Sequence, residues 1–141
     1  MRVQHKFWLL FFAFLACLLA GCSAGEKTAL AEADVPRFHA ALDAGNHAEI
    51  YDAAGDELQK AGKREDFIAF LGAVHRKLGN VKSSKLTGWQ VGADLKGNLI
   101  TLVYDTEFTE GKGAEQFAYR IQDKQAVLVG YHINAPALIL K

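Results

Sequence analysis

Leu99-Ile100-Thr101-Leu102-Val103-Tyr104-Asp105-Thr106-Glu107-Phe108-Thr109 decides the fold. Ile100, Leu102, Tyr104, Thr106 and Phe108 alternate with Thr101, Val103, Asp105 and Glu107, a period of two that makes this a strand with one face to bury. On its C-terminal side Glu110-Gly111-Lys112-Gly113 reads as a loop. Ala114 to Gln122 follows as a strand with Phe117, Tyr119 and Ile121 on its apolar face. Asp123-Lys124-Gln125 turns the chain into a last strand, Ala126 to Ile133, in which Val127, Val129, Tyr131 and Ile133 alternate. Pro136 ends regular structure before an apolar tail, Leu138-Ile139-Leu140. On the N-terminal side, Val81 to Gln90 is a ragged strand containing Trp89, joined by a turn over residues 93–98.

Parity sets the expected pairing, because facing residues share a face of the sheet. A four-residue loop places Thr106 opposite Phe117 and Tyr104 opposite Tyr119. A three-residue turn places Tyr119 opposite Val129 and Phe117 opposite Tyr131. Tyr104, Phe117, Tyr119 and Tyr131 then form one inner surface, and Asp105, Glu107 and His132 point away. Arg120, Gln116, Val103, Ala118 and Leu128 also fall on the outer face, which is apolar enough to suit a homodimer or partner contact.

Before Gly79 the period is 3.6. Phe67, Phe70, Leu71, Val74 and Leu78 share one face of a helix from about Lys63 to Leu78, closed by Gly79-Asn80. A second helical stretch runs from Asn46 to Gly62, with Ile50, Tyr51, Ala54 and Leu58 inward and a weak point at Gly55. A first helix starts at Asp34 as N-cap, with Pro36 in its first turn, and stops at Gly45-Asn46. Helices followed by an antiparallel meander predict an α+β domain over residues 34–141. Its N-terminal helices pack on one face of a curved antiparallel sheet of about four strands, with the helix over 63–78 above the aromatic surface.

The first residues carry an address. Arg2, His5 and Lys6 precede an unbroken apolar run from Phe7 to Ala20, the length of a signal-peptide core and short for a membrane span. It ends in Leu19-Ala20-Gly21-Cys22, which resembles the lipobox of bacterial lipoproteins: an aliphatic residue, two small ones, then the cysteine that is acylated. Residues 1–21 are read as a signal peptide, and residues 22–33 as the lipidated Cys22 and a short tether. Two or three acyl chains hold a protein on a membrane stably. Ser23, rather than Asp, favours an outer-membrane address facing the periplasm in a Gram-negative host.

The chain has 141 residues, room for one domain, and its only cysteines are Cys17 and Cys22, so the expected domain has no disulfide. Arg2 and Lys6 lie in the leader, which leaves 14 of the 16 basic residues against 16 acidic ones, a net of −2. That balance argues against a nucleic-acid partner. His39, His47, His75 and His132 show no zinc-ligand spacing, so no metal or other cofactor is expected.

With the lipobox and the helices in place, the stretch from Phe67 to Leu138 resembles the uncharacterised bacterial lipoproteins with a cystatin-like (nuclear-transport-factor-two-like) fold. The residues that carry this are His75-Arg76-Lys77-Leu78-Gly79, Val103 to Phe108, Glu115-Gln116-Phe117 and Gly130-Tyr131-His132-Ile133. The resemblance implies a cone, a sheet curved around a helix, able to hold a small molecule. Tyr104, Phe117, Tyr119, Tyr131, Trp89 and His75 are its candidate lining. Isomerases on such folds use a carboxylate and a tyrosine inside the cone, and parity sends the strand acids Asp105 and Glu107 outward. The expected function is therefore a lipid-anchored, non-catalytic envelope module that binds a partner or a small apolar ligand. The alternative is an isomerase or dehydratase-like enzyme using the cone interior.

Overall fold

The structure is a computed structural model that describes residues 22–140, with side chains from residue 24 onward. The leader over residues 1–21 lies outside these, as does the side chain of Cys22. Helix α1 spans Cys22–Asp43, α2 His47–Ala53, α3 Asp56–Ala61 and α4 Arg64–Leu78. Strands β1 (Val81–Asp94), β2 (Gly97–Phe108), β3 (Gly111–Gln122) and β4 (Gln125–Asn134) follow, then a short α5 (Pro136–Leu140). The strands form one antiparallel sheet in the order β1-β2-β3-β4, curved and unclosed, with α1 to α4 N-terminal to it. This is the α+β arrangement expected, and it is compatible with a cystatin-like fold.

The first helix is longer than its apparent cap suggested. Asp34 is mid-helix, Pro36 sits in the helix interior, and the stretch read as a tether is helical. Ala31, Val35, Phe38 and Leu42 explain this: spaced three or four residues apart, they are at most 5% exposed. Burying such a stripe gains roughly 1.5–3 kcal/mol per large side chain. That outweighs the ~3 kcal/mol that one interior proline costs. This helix, rather than α4, lies on the aromatic face of the sheet. The Phe38 ring stands 5.1 Å from Phe117 and 4.6 Å from Tyr131. Helix α4 packs outside, on α2 and α1, and its Phe70 ring lies 6.1 Å from Tyr131.

The second helical stretch is broken at Ala54-Gly55, where the Gly55 N–H leaves the helix and donates to the Leu128 carbonyl at 2.8 Å. The break wraps α3 around the β4 edge. It brings Glu57 to Arg120, which is 4% exposed and also bonded to Asp94 at 2.7 Å. Three chain segments are thereby tied on the outer side of the sheet.

The β2–β3 turn is tighter than expected, and this changes the register without changing parity. Thr109-Glu110 alone joins β2 to β3, with Phe108 paired to Gly111. Tyr104 therefore faces Glu115, Leu102 faces Phe117, and Ile100 faces Tyr119. The reason lies in what the turn touches. Thr109 N–H donates to the Asn80 carbonyl and Glu110 N–H to the Leu78 carbonyl, which docks the turn on the end of α4. Gly113, read as loop, is strand: a Cβ there would sit 3.1 Å from Ala135 and 3.2 Å from Ile133.

Asp123 and Lys124, both with positive φ (48° and 60°), form a two-residue hairpin turn between β3 and β4. Phe117 does face Tyr131, but a bulge beyond Ala118 pairs Tyr119 with Leu128. The extra residue, Val129, reverses parity beyond it, so Leu128 is 6% exposed beneath the helices instead of lying on the outer face.

Gly79 makes the helix-to-sheet junction possible. Its φ is +76°, and a Cβ there would lie 1.8 Å from Thr109 Oγ1. Gly79→Ala is expected to cost about 2–4 kcal/mol through left-handed strain and this clash. The double variant Gly79→Ala/Thr109→Ala should recover the clash portion. Urea denaturation midpoints of the three chains check both.

Candidate functional site

The inner face of the sheet is built from Ile100, Leu102, Tyr104, Thr106 and Phe108 on β2, and from Glu115, Phe117 and Tyr119 on β3. Beyond the aromatic residues it thus includes one carboxylate. Glu115 is 0% exposed. Its Oε2 accepts from His39 Nε2 at 2.7 Å and from the Thr106 hydroxyl at 2.5 Å, and its Oε1 accepts from the Tyr131 hydroxyl at 2.7 Å. The Ser84 hydroxyl in turn lies 2.9 Å from Thr106 Oγ1. Since Thr106 spends its proton on Glu115, Ser84 is the donor in that bond. His39, at 7% exposure, comes from α1 next to Phe38.

A carboxylate taken out of water costs several kcal/mol unless donors replace its hydration, and three donors do so here. Burial and the neighbouring Glu115 push the Tyr131 hydroxyl well above its usual range, so it stays protonated and keeps donating.

The ring cluster closes over this network. Phe117 lies 5.9 Å from Tyr104, 6.3 Å from Tyr119 and 5.2 Å from Tyr131. Phe117 and Tyr119 are fully buried, Tyr104 is nearly so, and Tyr131 is half-buried. The four predicted lining residues are brought together, and Asp105, Glu107 and His132 lie outside the cluster as parity required. The other two are not. Trp89, opposite Leu102 on the edge strand, is 62% exposed, because the helices do not extend over that part of β1. His75 is half-buried at the far side of α4. Its Nε2 is 2.8 Å from Asn80 Oδ1, and its ring is 5.9 Å from that of His47.

Two clefts flank α1. One, of about 410 Å³, opens between α1 and the edge of the sheet beside Glu32, Val35, His39, Asp43, Ser84 and Tyr104. The other, of about 360 Å³, lies between α1, α2 and β4, with Asp34, Phe38, Ile50 and Leu128 in its wall. Asp34 also neighbours Tyr119, whose buried hydroxyl makes no hydrogen bond of good geometry. Burial raises the Asp34 carboxyl above its ordinary value, with Tyr119 and Arg37 opposing the shift. Burial, followed by the charge of Asp34, raises Tyr119 further. Among the described residues, no group of three or more His, Cys, Asp and Glu gathers closely enough to hold a metal ion.

Glu115, His39, Thr106 and Asp34 were absent from the predicted lining. Glu115 could have been found: it stands two residues before Phe117 on the same strand and so shares its face. His39 was visible as the residue after Phe38, four on from Val35. Asp34 has the sequence signature of a helix cap, which masks its place in the cleft wall.

The family model for a protein of unknown function, DUF4019, matches residues 35–131, more than two thirds of the chain's 141 residues. The chain belongs to that family. His39, Thr106, Glu115 and Tyr131 all lie within the matched span. No curated protein matches the chain.

Glu115→Leu strands three buried donors and is expected to cost about 3–5 kcal/mol, against under about 0.5 kcal/mol for Glu107→Ala on the outer face. Paired urea titrations check the contrast. Asp34 behaves in the opposite sense. Its folded pKa is raised above the ordinary 3.8, so ionisation opposes folding. The penalty is present at neutral pH and disappears as pH falls below the unfolded value. Asp34→Asn should therefore melt higher than the parent at neutral pH, and the difference should close at about pH 3. Thermal melts across that range test the sign.

Proposed function

We propose that this member of the DUF4019 family is a lipid-anchored, non-catalytic module of the bacterial cell envelope that works by contacting a partner. Its address in a Gram-negative host is the outer membrane, facing the periplasm. The anchor reading is supported by the positively charged start, the apolar run from Phe7 to Ala20, and Leu19-Ala20-Gly21-Cys22. Among the described residues no helix is long and apolar enough to cross a membrane. Attachment through acyl chains on Cys22 would therefore be the means of holding this part of the chain there.

The observation that carries the non-catalytic reading is the state of Glu115. A general base needs a lone pair within reach of a substrate proton. Both oxygens of Glu115 are already taken by His39, Thr106 and Tyr131, and the Phe38, Phe117 and Tyr131 rings close the space in front of it. Such a carboxylate fixes a helix to a sheet. The packed centre also speaks against a small apolar ligand at the middle of the cone and in favour of protein contact.

A second reading, an isomerase or dehydratase-like enzyme, is favoured by one observation. Asp34 stands at an open cleft with its carboxyl raised by burial, beside the buried hydroxyl of Tyr119. A carboxyl poised for proton transfer next to a tyrosine donor is what proton abstraction beside a carbonyl requires.

Labelled palmitate tests the anchor: the parent chain should incorporate it and Cys22→Ala should not. Incorporation into Cys22→Ala would overturn the lipoprotein reading. A thermal-shift screen with apolar carbonyl compounds separates the two functions. The non-catalytic reading expects no shift. A compound that raises the Tm of the parent and Glu107→Ala, but not of Asp34→Asn, would move the enzyme to first place.

A further inference from the structure

The sheet has two edges, and they are treated differently. The β4 edge is engaged by the Gly55 N–H at the Leu128 carbonyl and overlaid by α3. The β1 edge divides in two. Its first half is blunted: register irregularities interrupt it between Val81 and Ser83 and again between Leu86 and Gly88, and it carries Lys82 and Lys85. Bulges and lysines are the usual protections against strand pairing. Its second half, Gly88-Trp89-Gln90-Val91-Gly92-Ala93, has neither. It pairs regularly with β2 from Gly88 onward and contains no charge and no proline. Gln90 and Ala93 are exposed, and Trp89 is 62% exposed. An edge strand leaves alternate backbone N–H and C=O groups pointing outward, unused by its one neighbour.

We infer that this half-edge is the contact between two copies of the chain, paired antiparallel about Gln90 so that two four-stranded sheets continue into one. The segment is nearly symmetric about that residue. With Gln90 facing Gln90 of the second copy, Trp89 faces Val91 and Gly88 faces Gly92, each in both directions. Trp89 and Val91 are opposite Leu102 and Ile100 in the ladder, hence on the helix side, so each Trp89 ring gains an aliphatic neighbour. Gly88 and Gly92, opposite Val103 and Leu99, leave the outer side free of obstruction. At the ends, the Lys85 end of one β1 comes within one residue of Asp94 of the other, whose carboxylate also holds Arg120. A two-fold contact of this kind is self-complementary and closed, so it stops at two copies.

Cysteine crosslinking of the full chain in its own membrane tests the assignment. Directly opposed residues on antiparallel strands have Cα atoms roughly 4.5–5.5 Å apart, within disulfide range. Gln90→Cys should give a covalent dimer on mild oxidation, above the background of the parent chain. Asp105→Cys and Gln116→Cys, on the outer face, should not. No dimer from Gln90→Cys, or an equal yield from Asp105→Cys, would overturn the edge contact, the latter by placing the contact on the outer sheet face. A crosslink from Gln90→Cys to a protein of different mass would overturn the second copy as occupant. Independently, Gln90→Lys sets two ammonium groups against each other on the axis. Light scattering of the detergent-solubilised chain should then read monomer where the parent reads dimer, with the melting temperature unchanged within about 2 °C. A Gln90→Lys chain that stays dimeric would also sink the inference. These readouts do not depend on lipid attachment, which the palmitate label reports separately.

Discussion

The seating of Phe38 and His39 against Phe117 and Glu115 organises everything else in this molecule. Adjacent on α1, these two side chains meet residues two apart on β3, one contact apolar and one polar. The apolar contact alone would tolerate sliding, since rings pack in many registers. The polar one does not, because a buried carboxylate must be met by donors at fixed positions. Glu115 therefore acts as a register pin. It sets where along the sheet α1 lies, and through Thr106 and Tyr131 it ties together β2, β3 and β4. Aliphatic residues could make such a junction as stable, but without the same positional demand.

From that junction the rest of the architecture follows outward. Once α1 occupies the concave face, α4 has to pack on helices, and its C-terminal end is left to receive the β2–β3 turn through Leu78 and Asn80. The chain between α2 and α3 crosses the β4 edge and delivers Glu57 to Arg120 on the far side. One edge and the concave face are thus used by the chain itself, which leaves half of β1 and the outer face for other contacts. Helix α1 begins at Cys22, with no extended linker among the described residues. Under the proposed lipid attachment, the membrane anchor is therefore the end of the core helix, and the position of the domain over the bilayer is coupled to the Phe38–Glu115 junction.

The two carboxyl groups near the aromatic cluster show how environment separates structural from chemical potential. Glu115 is deeper, yet both of its oxygens are met by donors. Asp34 is only half-buried, yet it pays for its position, with burial outweighing the help from Tyr119 and Arg37. A group that opposes folding in its ionised form is the kind that active sites retain and purely structural sites discard. That contrast is why Asp34, rather than the better-buried Glu115, carries the enzyme alternative.

Strand existence, the inner identity of Tyr104, Phe117, Tyr119 and Tyr131, and the outward placement of Asp105, Glu107 and His132 were legible in the sequence by itself. They depend on a period of two, a local property of the backbone that holds along a strand wherever no bulge interrupts it. The shared face of Glu115 and Phe117 was legible for the same reason. What only the tertiary structure decided was distance along the chain. The true length of α1 came from burial of Ala31 and Val35 overriding Pro36, and the tight β2–β3 turn came from docking on α4. The bulge that turned Leu128 inward and the exposure of Trp89 depended on where helices ended above the sheet. Each is a competition between a local signal of a few kcal/mol and burial or hydrogen bonding supplied by residues far away in the chain, which no window of sequence contains.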